Sequence, residues 1–519
     1  MQTTFEERLD RVHDDAEEIF PNFRRGIEKE SLRITPDGRL SQAPHPSALG
    51  SALTHPYITT DYSEALMELV TPTFSTLNEV LDYLELLHGI VYHHIDDGLL
   101  WVNSLPCLLG DENTIPIAEF GTSNIGKMKH VYRRGLDLRY GRRMQIIAGI
   151  HYNISVPDSF WTALGFSESD SRENEISNAY MAATRNFHRY CWILFYLFGA
   201  SPAACRSFFS ESDTTGLDEL GIHTVYARHG TSLRMSNYGY RNPVQSEIRI
   251  NQNSVEEYIS SLSETISTPF ATYEKLGVKS NGQYLQLNTN LLQIENEYYS
   301  VVRPKRRIMP MEKPTHALRR RGVEYLEVRC IDLDPYEPTG ISPVHARFLD
   351  LLITFCLLHP SPPLTDKHYP IISANKDATV MDGLNPDLKL TRNGERVKLK
   401  TWGLEILENL QPIARLFDKA HGNDDYMTCV REQKEKLENP QMTPSARILD
   451  ELITNNEPFF AFAMRKAQEA KRSVTRIALK SATIDEFSRV AAESIQKQEE
   501  MEQKDEMEFD KFLEWYFSQ

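Results

Sequence analysis

The sequence has few cysteines, and none of them lies close to another. The six cysteines form no C-x-x-C pair, which argues against a structural zinc site. They stand at Cys107, Cys191, Cys205, Cys330, Cys356 and Cys429. The apolar run at 191–200 is much shorter than the roughly 20 residues that span a bilayer, and residues 1–8 lack the apolar core of a signal peptide. These absences predict a soluble protein of a reducing compartment, the cytoplasm, without a membrane partner.

Positive charge is also in deficit. The formal net charge is −16, so the long-range field would repel polyanions, and nucleic-acid binding is not expected. Arginine and lysine nevertheless cluster at 133–134, 139–143, 303–307 and 319–321, and the cluster at 303–307 is predicted to lie in a loop. Solvated surface charge is the simplest interpretation of any one cluster, and contact with a phosphorylated small molecule is the functional alternative.

Acidic side chains recur on segments with the alternation of β-strands. Glu28 and Glu30 are two positions apart in such a segment and therefore project from one face. Two adjacent carboxylates repel each other unless one is protonated or a cation lies between them. Glu68, His151 and Glu327 occupy comparable positions in other segments. Oxygen ligands with one imidazole favour Mg²⁺ or Mn²⁺ over zinc, so this face predicts a metal site for phosphate chemistry.

Each of these residues also has a simpler interpretation. An acidic pair on a strand often faces solvent at a sheet edge, and His151 alone is typical of a hydrogen-bonded core histidine. Asp61, shortly before Glu68, either supports the metal site or caps a turn. Glu327 and Arg329 share a strand face, which fits an ion pair or a metal ligand beside a phosphoryl-binding guanidinium. The metal site is favoured because the strand pattern recurs.

The strand pattern predicts an α+β fold with a mainly antiparallel sheet, whose apolar face helices would cover. We expect a catalytic domain over 1–360 and a mainly helical region over 361–519 packed on it. The charged stretch from about 480 onward is predicted to be a solvated outer helix or a frayed end. The predicted strands cover 22–34, 65–70, 145–156, 284–290 and 322–332, and the predicted helices include 5–20, 77–100, 178–198, 348–358, 402–419 and 446–453.

One stretch imitates a P-loop. Gly121 to Met128 matches G-x-x-x-x-G-K, but Met128 stands where a hydroxyl would have to hold magnesium. A parallel βαβ pattern is also missing around it. The sequence therefore disfavours a P-loop and leaves a glycine-punctuated loop near a site as the alternative.

The motif at 25–30, Arg-Gly-Ile-Glu-Lys-Glu, resembles the opening motif of the proteobacterial class of glutamate–cysteine ligases, or γ-glutamylcysteine synthetases. Lys29 stands where that family commonly has arginine, and its side chain should point away from the acid pair. Further segments resemble family motifs in the family's order, at 51–61, 68–72, 120–124, 149–153, 198–202, 231–234, 293–297, 303–306, 324–329 and 445–449. The resemblance thus covers nearly the whole chain.

The resemblance implies a glutamine-synthetase-like fold, in which a curved, mainly antiparallel sheet forms a funnel-like active site with helices outside. It also implies the first step of glutathione biosynthesis. ATP would phosphorylate the γ-carboxylate of glutamate, and the amine of cysteine would attack the acyl phosphate to give γ-glutamylcysteine, ADP and phosphate. The implied partners are glutamate, cysteine and ATP, with Mg²⁺ or Mn²⁺ as cofactor.

The family's site residues are carried over to matching positions of this chain. The implied metal ligands are Glu28, Glu30, Glu68, His151 and Glu327, with Asp61 close by, and the implied catalytic residues are Arg329 and Glu327. The implied substrate residues are Tyr132, Arg234, Tyr240 and Tyr299, and the implied ATP-phosphate contacts are Arg303 and Lys305. Cys107 lies in a family-like segment, but the next cysteine, Cys191, lies in an apolar helix, so a local redox bridge there is not expected.

Three other functions compete with this one. A relative with another amine acceptor would share the metal ligands and differ in the pocket. A P-loop nucleotide hydrolase would depend on Lys127, and an acidic metal-binding scaffold would release no ADP. The sequence does not determine the oligomeric state, and a monomer is compatible with it.

Overall fold

A seven-stranded sheet forms the centre of the computed structural model, which describes residues 3–166, 169, 171–209, 214–239, 244, 248–309 and 311–519. The strands are β1 (Arg24–Ile34), β2 (Ile58–Thr60), β3 (Leu66–Val70), β4 (Leu99–Leu100), β5 (Ile150–Ser155), β6 (Ala203–Cys205), β7 (Asp218–Leu220), β8 (Thr224–Tyr226), β9 (Lys279–Ser280), β10 (Gln283–Tyr284), β11 (Val302–Lys305), β12 (Tyr325–Ile331), β13 (Lys389–Arg392) and β14 (Glu395–Lys398). The central order is β11-β12-β5-β1-β3-β2, with β4 beside β1, and every pairing is antiparallel. The α+β prediction is therefore confirmed.

Helices lie outside the sheet and dominate the second half of the chain. They are α1 (Phe5–His13), α2 (Ala16–Ile19), α3 (Leu77–His94), α4 (Asn124–Tyr140), α5 (Arg142–Gln145), α6 (Asp158–Ala163), α7 (Arg172–Tyr190), α8 (Trp192–Phe198), α9 (Val255–Ser267), α10 (Ala271–Leu276), α11 (Pro314–Arg321), α12 (Pro343–Leu358), α13 (His368–Asp382), α14 (Leu399–His421), α15 (Asp425–Glu438), α16 (Pro444–Thr454), α17 (Phe459–Val474), α18 (Ser481–Gln503) and α19 (Phe509–Ser518). Among the described residues, no helix is long and apolar enough to span a membrane.

The back face of β1 packs on helices, although it is not purely apolar. Arg25 is completely buried there, and its Nε donates to both oxygens of Asp350 on α12, at 3.1 and 2.9 Å. The hydroxyls of Tyr152 and Tyr426 donate to the same carboxylate at 2.8 and 2.9 Å. Lys29 projects to this face too, as expected, and its Nζ lies 2.6 Å from Nε2 of the buried His88. This polar network joins β1 and β5 to α12 and α15 inside the core.

One hydrophobic core extends across position 360. It includes Phe20 and Phe23 near the beginning of the chain and Trp402 and Phe417 of α14. The rings of Phe20 and Phe417 are 4.4 Å apart, so the late helices pack directly on the first residues of the chain. The helices after position 360 therefore share one hydrophobic core with the first part of the chain.

Three sequence-based predictions need correction. The alternation at 284–290 does not give a strand beyond Gln283–Tyr284, because Gln286 and Asn288 turn inward and donate to the carbonyls of Gly277 and Gln293 at 2.9 Å. The basic segment at 303–305 is the edge strand β11 rather than a loop. The charged C-terminal stretch forms α18 and α19, and α19 contributes buried residues to an apolar cluster, so it is not frayed.

Cys107 forms no local bridge, as expected, but it forms a long-range one that the sequence analysis did not anticipate. Cys107 is bonded to Cys205, 98 positions later, with their Cα atoms 5.4 Å apart. Cys205 ends β6, and the small sheet β6-β8-β7 brings it to Cys107. The nearest cysteine in the sequence, Cys191, is a buried free thiol, as are Cys330, Cys356 and Cys429. Sequence proximity could not reveal this pairing, because tertiary structure brings the two cysteines together.

Candidate active site and metal centre

The strand register collects the predicted acids on the front face of the sheet. Glu28 of β1 lies opposite His151 of β5, and Glu30 lies opposite Glu68 of β3. Glu327 of β12 enters from the other side of β5, opposite a residue two positions from His151. Because directly opposed residues of antiparallel strands share a face, these five side chains converge.

Glu28, His151 and Glu327 form the tightest group. Each offers one ligand atom within 4.8 Å of the others. His151 Nδ1 lies 3.1 Å from Glu28 Oε2 and 3.7 Å from Glu327 Oε1. Glu327 is 2% exposed, and its Oε2 accepts no hydrogen bond from any described residue. A buried oxygen without a donor is costly, and together with the oxygen-rich donor set it fits a hard divalent cation.

Glu30, Glu68 and Asp61 form a second acidic group beside the first. Glu30 Oε1 lies 3.9 Å from His151 Nε2, and its Oε2 accepts the Gly149 N–H at 2.8 Å. Burial, followed by the charges of Asp61 and the neighbouring glutamates, raises the pKa of Glu68 well above its ordinary value. Burial raises the pKa of Glu30 as well. A cation would relieve both effects, because it stabilises the ionised carboxylates.

Cations of the protein hold Glu327 in its ionised form. Its burial favours the neutral acid, but Arg329, Lys305 and His151 outweigh burial and hold the pKa of Glu327 well below the usual range. Arg329 Nη1 donates to Glu327 Oε1 at 2.9 Å, and Lys305 Nζ lies 3.5 Å from Oε2. The register between β12 and β5 shifts after Val328, so Arg329 sits at an irregularity of the strand pairing.

The predicted substrate and phosphate residues have different surroundings. Arg303 lies opposite Glu327 in register, but its Nη2 donates to the carbonyls of Asn296 and Tyr298, so its visible contacts hold a loop. Arg234 is 1% exposed, and its Nη2 donates to the Arg329 carbonyl at 3.2 Å.

Arg234 lies directly against Gly149. A Cβ at position 149 would lie 2.0 Å from Arg234 Nη2, so only glycine fits beside this guanidinium. Tyr299 donates its hydroxyl to Gln145 Oε1 at 3.0 Å. Tyr132 lies on α4 within electrostatic range of Asp61 and Arg303. Tyr240 lies outside the described residues.

Sequence reasoning missed Lys129 on α4 and Asn153 on β5, and it noted Arg133 only as part of a basic cluster. Arg133 Nη2 lies 3.6 Å from Asp61 Oδ1, and Lys129 interacts electrostatically with Glu68 and Asp61. Burial, followed by the charge of Arg133, lowers the pKa of Lys129 to about 8. Asn153 Nδ2 donates to Glu28 Oε1 at 2.9 Å. The signal for the α4 pair was their helical spacing from Tyr132, since positions 129, 132 and 133 share a helix face.

The segment that imitates a P-loop is not built to bind phosphate. Ser123 caps α4 by accepting the Gly126 N–H at 3.1 Å. The Thr122 N–H donates to Glu502 at 2.7 Å, and the Asn124 N–H donates to Asp505. Since carboxylates of the protein already occupy the amides that would hold phosphate, the P-loop hypothesis fails.

Fold and site together define an α+β enzyme of the glutamine-synthetase-like class, with an acidic sheet face that could hold a metal ion and is flanked by cations. Residues 9–379 match the family model described as glutamate-cysteine ligase. The glutamate–cysteine ligase of Alcanivorax borkumensis is 50% identical over 510 residues, which are 97% of each chain. That of Azotobacter vinelandii is 46% identical and covers 95% of this chain and 93% of its own. The chain belongs to the glutamate–cysteine ligase family.

Solved structures agree with this assignment. The crystal structure of the Francisella tularensis glutamate–cysteine ligase in complex with AMP superimposes with a TM-score of 0.90 at 33% identity, covering 96% of this chain and 98% of that one. A bifunctional glutathione synthetase from Pasteurella multocida has a TM-score of 0.68 at 24% identity, with 92% of this chain and 57% of that chain covered, and shares the fold. The chain is therefore a ligase with the architecture of its family.

Proposed function

We propose that the protein joins the γ-carboxylate of L-glutamate to the amine of L-cysteine at the expense of ATP, through a γ-glutamyl phosphate. The products are γ-glutamylcysteine, ADP and phosphate, and the reaction is the first step of glutathione biosynthesis. The observation that carries the proposal is the convergence of Glu28, His151 and Glu327 with Arg329 and Lys305 on one sheet face. Membership of the family supports this proposal, and we place the protein in the cytoplasm.

The charge distribution suits this chemistry. A carboxylate is a poor electrophile, so it must first be activated, and its attack on ATP brings two anions together. Arg329 and Lys305, both beside Glu327, supply positive charge where the transferred phosphoryl group would lie. A divalent cation held by the acids, Mg²⁺ in our proposal with Mn²⁺ as the alternative, would neutralise charge on the ATP phosphates.

We propose the remaining roles as the family resemblance implies them. Glu28, Glu30, Glu68, His151 and Glu327 hold the metal, with Asp61 beside them. Arg234 clamps a substrate carboxylate, because a guanidinium can donate two parallel hydrogen bonds. Tyr132, Tyr240 and Tyr299 shape the cysteine pocket, and Arg303 with Lys305 serves the ATP phosphates. Residues 1–360 form the catalytic domain in this proposal, and residues 361–519 pack on it.

The test is ADP release by the purified protein with ATP and Mg²⁺. Glutamate is added alone, then with cysteine, then with other small amines. Strong stimulation by cysteine, with a γ-linked dipeptide detected by mass spectrometry, is the expected result. Stimulation by a different amine instead would keep the chemistry and change the substrate.

Two variants distinguish the ligase from the rival functions. Lys127→Ala, at an exposed position of the P-loop-like segment, should retain activity. Loss of ADP release in Lys127→Ala but not in Glu28→Ala would favour the nucleotide hydrolase. ADP release that no amino acid stimulates would contradict the ligase proposal, and metal binding without any ADP release would favour the scaffold.

A further inference from the structure

The last two helices connect three parts of the chain that border the active site. On α18, Ser494 Oγ accepts the Ser51 N–H at 2.9 Å, and Gln498 accepts the Ser51 hydroxyl. The Thr54 hydroxyl donates to the Ser494 carbonyl. Residues 51–54 precede β2, which leads into Asp61. The helix therefore holds the segment that leads into the second acidic group.

The same C-terminal segment caps α4. Glu502 accepts the Thr122 N–H, and Asp505 accepts both the backbone N–H and the side-chain amide of Asn124, the latter at 3.1 Å. The first amides of a helix have no partner within it, and its N-terminus carries partial positive charge, so a carboxylate there is stabilising. At Gly121, whose φ is +79°, an added Cβ would lie 2.1 Å from Gln498 and 2.2 Å from Glu502. The fit between α18 and this turn is thus close.

An apolar cluster completes the attachment. Phe512, Leu513 and Tyr516 of α19 pack against Met128 and Val131 of α4. On either side, Lys279 and Tyr284 bond to Asp510 at 2.6 and 2.7 Å. The helix α4 is consequently fixed at its N-terminus by charge and along its length by burial.

We infer that the C-terminal segment 494–517 positions the substrate pocket by holding α4, with Asp505 as its main polar anchor. The inference rests on the proposed function, because α4 carries Tyr132 of the cysteine pocket and Lys129 and Arg133 beside the acids. The tight metal group lies on β1, β5 and β12, and the described residues of the segment form no hydrogen bond or ion pair with these strands. Loosening α4 therefore affects the amine pocket more strongly than the tight metal group of Glu28, His151 and Glu327.

The experiment compares Asp505→Asn with Glu506→Gln. Both variants remove one negative charge without changing shape, but Glu506 is exposed and its side chain forms no hydrogen bond or ion pair with a described residue. In Asp505→Asn, the N-terminus of α4 loses a neighbouring negative charge and one of two acceptors, so the KM for cysteine should rise about two- to fivefold. The KM values for ATP and glutamate, and glutamate-dependent ADP release without cysteine, should change less than about twofold. Glu506→Gln should match the parent protein.

Two further measurements separate positioning from general stability. If Asp505 acts through Tyr132, then Asp505→Asn should have little further effect on the cysteine KM in a Tyr132→Phe background, whereas independent effects would multiply. Hydrogen exchange should accelerate in α4 and not in β1. Phe512→Ala, which loosens the apolar contact instead, should reproduce the selective rise in the cysteine KM.

The outcomes that overturn the inference are distinct from failure of the proposed function. A parent protein without cysteine-stimulated ADP release would contradict the function itself. With an active parent, an unchanged cysteine KM in Asp505→Asn and Phe512→Ala would overturn the inference. A uniform loss in all KM and kcat values with a lower melting temperature would also overturn it, since that result marks a purely structural role.

Discussion

Both faces of β1 carry charged side chains, but their surroundings differ. On the back face, Arg25 is enclosed by Asp350 and two tyrosine hydroxyls, so the protein itself neutralises the buried ion. On the front face, Glu28 and Glu30 meet further carboxylates, and Glu327 Oε2 accepts no hydrogen bond from the described residues. Charged side chains on the back face are therefore structural, whereas those on the front face are available to the metal ion and substrates that we propose. Substitutions that remove a charge but keep the shape should therefore lower stability on the back face and activity on the front face.

The largest effect is expected at the back face. Asp350→Asn would leave the Arg25 guanidinium fully buried without a counter-ion, and breaking such a pair costs about 3–5 kcal/mol. Denaturant unfolding should show this loss of free energy of unfolding, together with reduced yield. Asp82→Asn, at an exposed position of α3, is the matched control and should unfold like the parent. A loss under about 1 kcal/mol at Asp350 would show that the back face is not structural in this sense.

At the front face, Glu327→Gln should fold and lose most activity. The amide keeps the shape of the side chain but removes a ligand charge from the tight metal group, and we expect kcat to fall by about 10²–10³. In a Mg²⁺ titration, the concentration that gives half-maximal activity should be higher than for the parent protein. Turnover near that of the parent at saturating Mg²⁺ would remove Glu327 from the site.

These contrasts also show what the sequence could predict. Alternation placed Glu28, Glu30, Glu68, His151 and Glu327 on one face, because side-chain direction follows from local backbone geometry. Alternation could not say which strands are neighbours, so the closeness of Glu28, His151 and Glu327 required the register of the sheet. It failed at 284–290, where tertiary hydrogen bonds replaced a strand.

Long-range contacts were out of reach for the same reason. The bond between Cys107 and Cys205 and the cap that Asp505 places on Asn124 join residues 98 and 381 positions apart. No local pattern encodes such pairs. The charged C-terminal stretch consequently looked like a solvated helix, although its acids cap α4 and its aromatic side chains pack on that helix.

A smaller and more selective effect is expected at Arg234. In Arg234→Lys, a fork of parallel donors becomes a single point charge, so the KM for one amino-acid substrate should rise about tenfold. The KM for ATP should stay constant, and Arg319→Lys, at an exposed position of α11, should change neither constant. Unchanged KM values for both glutamate and cysteine would remove Arg234 from the pocket.

The smallest effect on stability, and the sharpest contrast with Asp350, is expected at Glu68. Burial and the charges of Asp61, Glu28 and Glu30 disfavour its ionised form, as its raised pKa shows. In the metal-free protein, Glu68→Gln removes one of these mutually repelling groups, so the free energy of unfolding should stay constant or rise by up to about 1 kcal/mol. Unfolding with EDTA, beside the exposed control Glu85→Gln, measures this change, and the stabilisation that added Mg²⁺ gives the parent should shrink in Glu68→Gln. If Glu68→Gln instead destabilised the metal-free protein as strongly as Asp350→Asn does, the front face would be held together by its charges, and the distinction between the two faces of β1 would be lost.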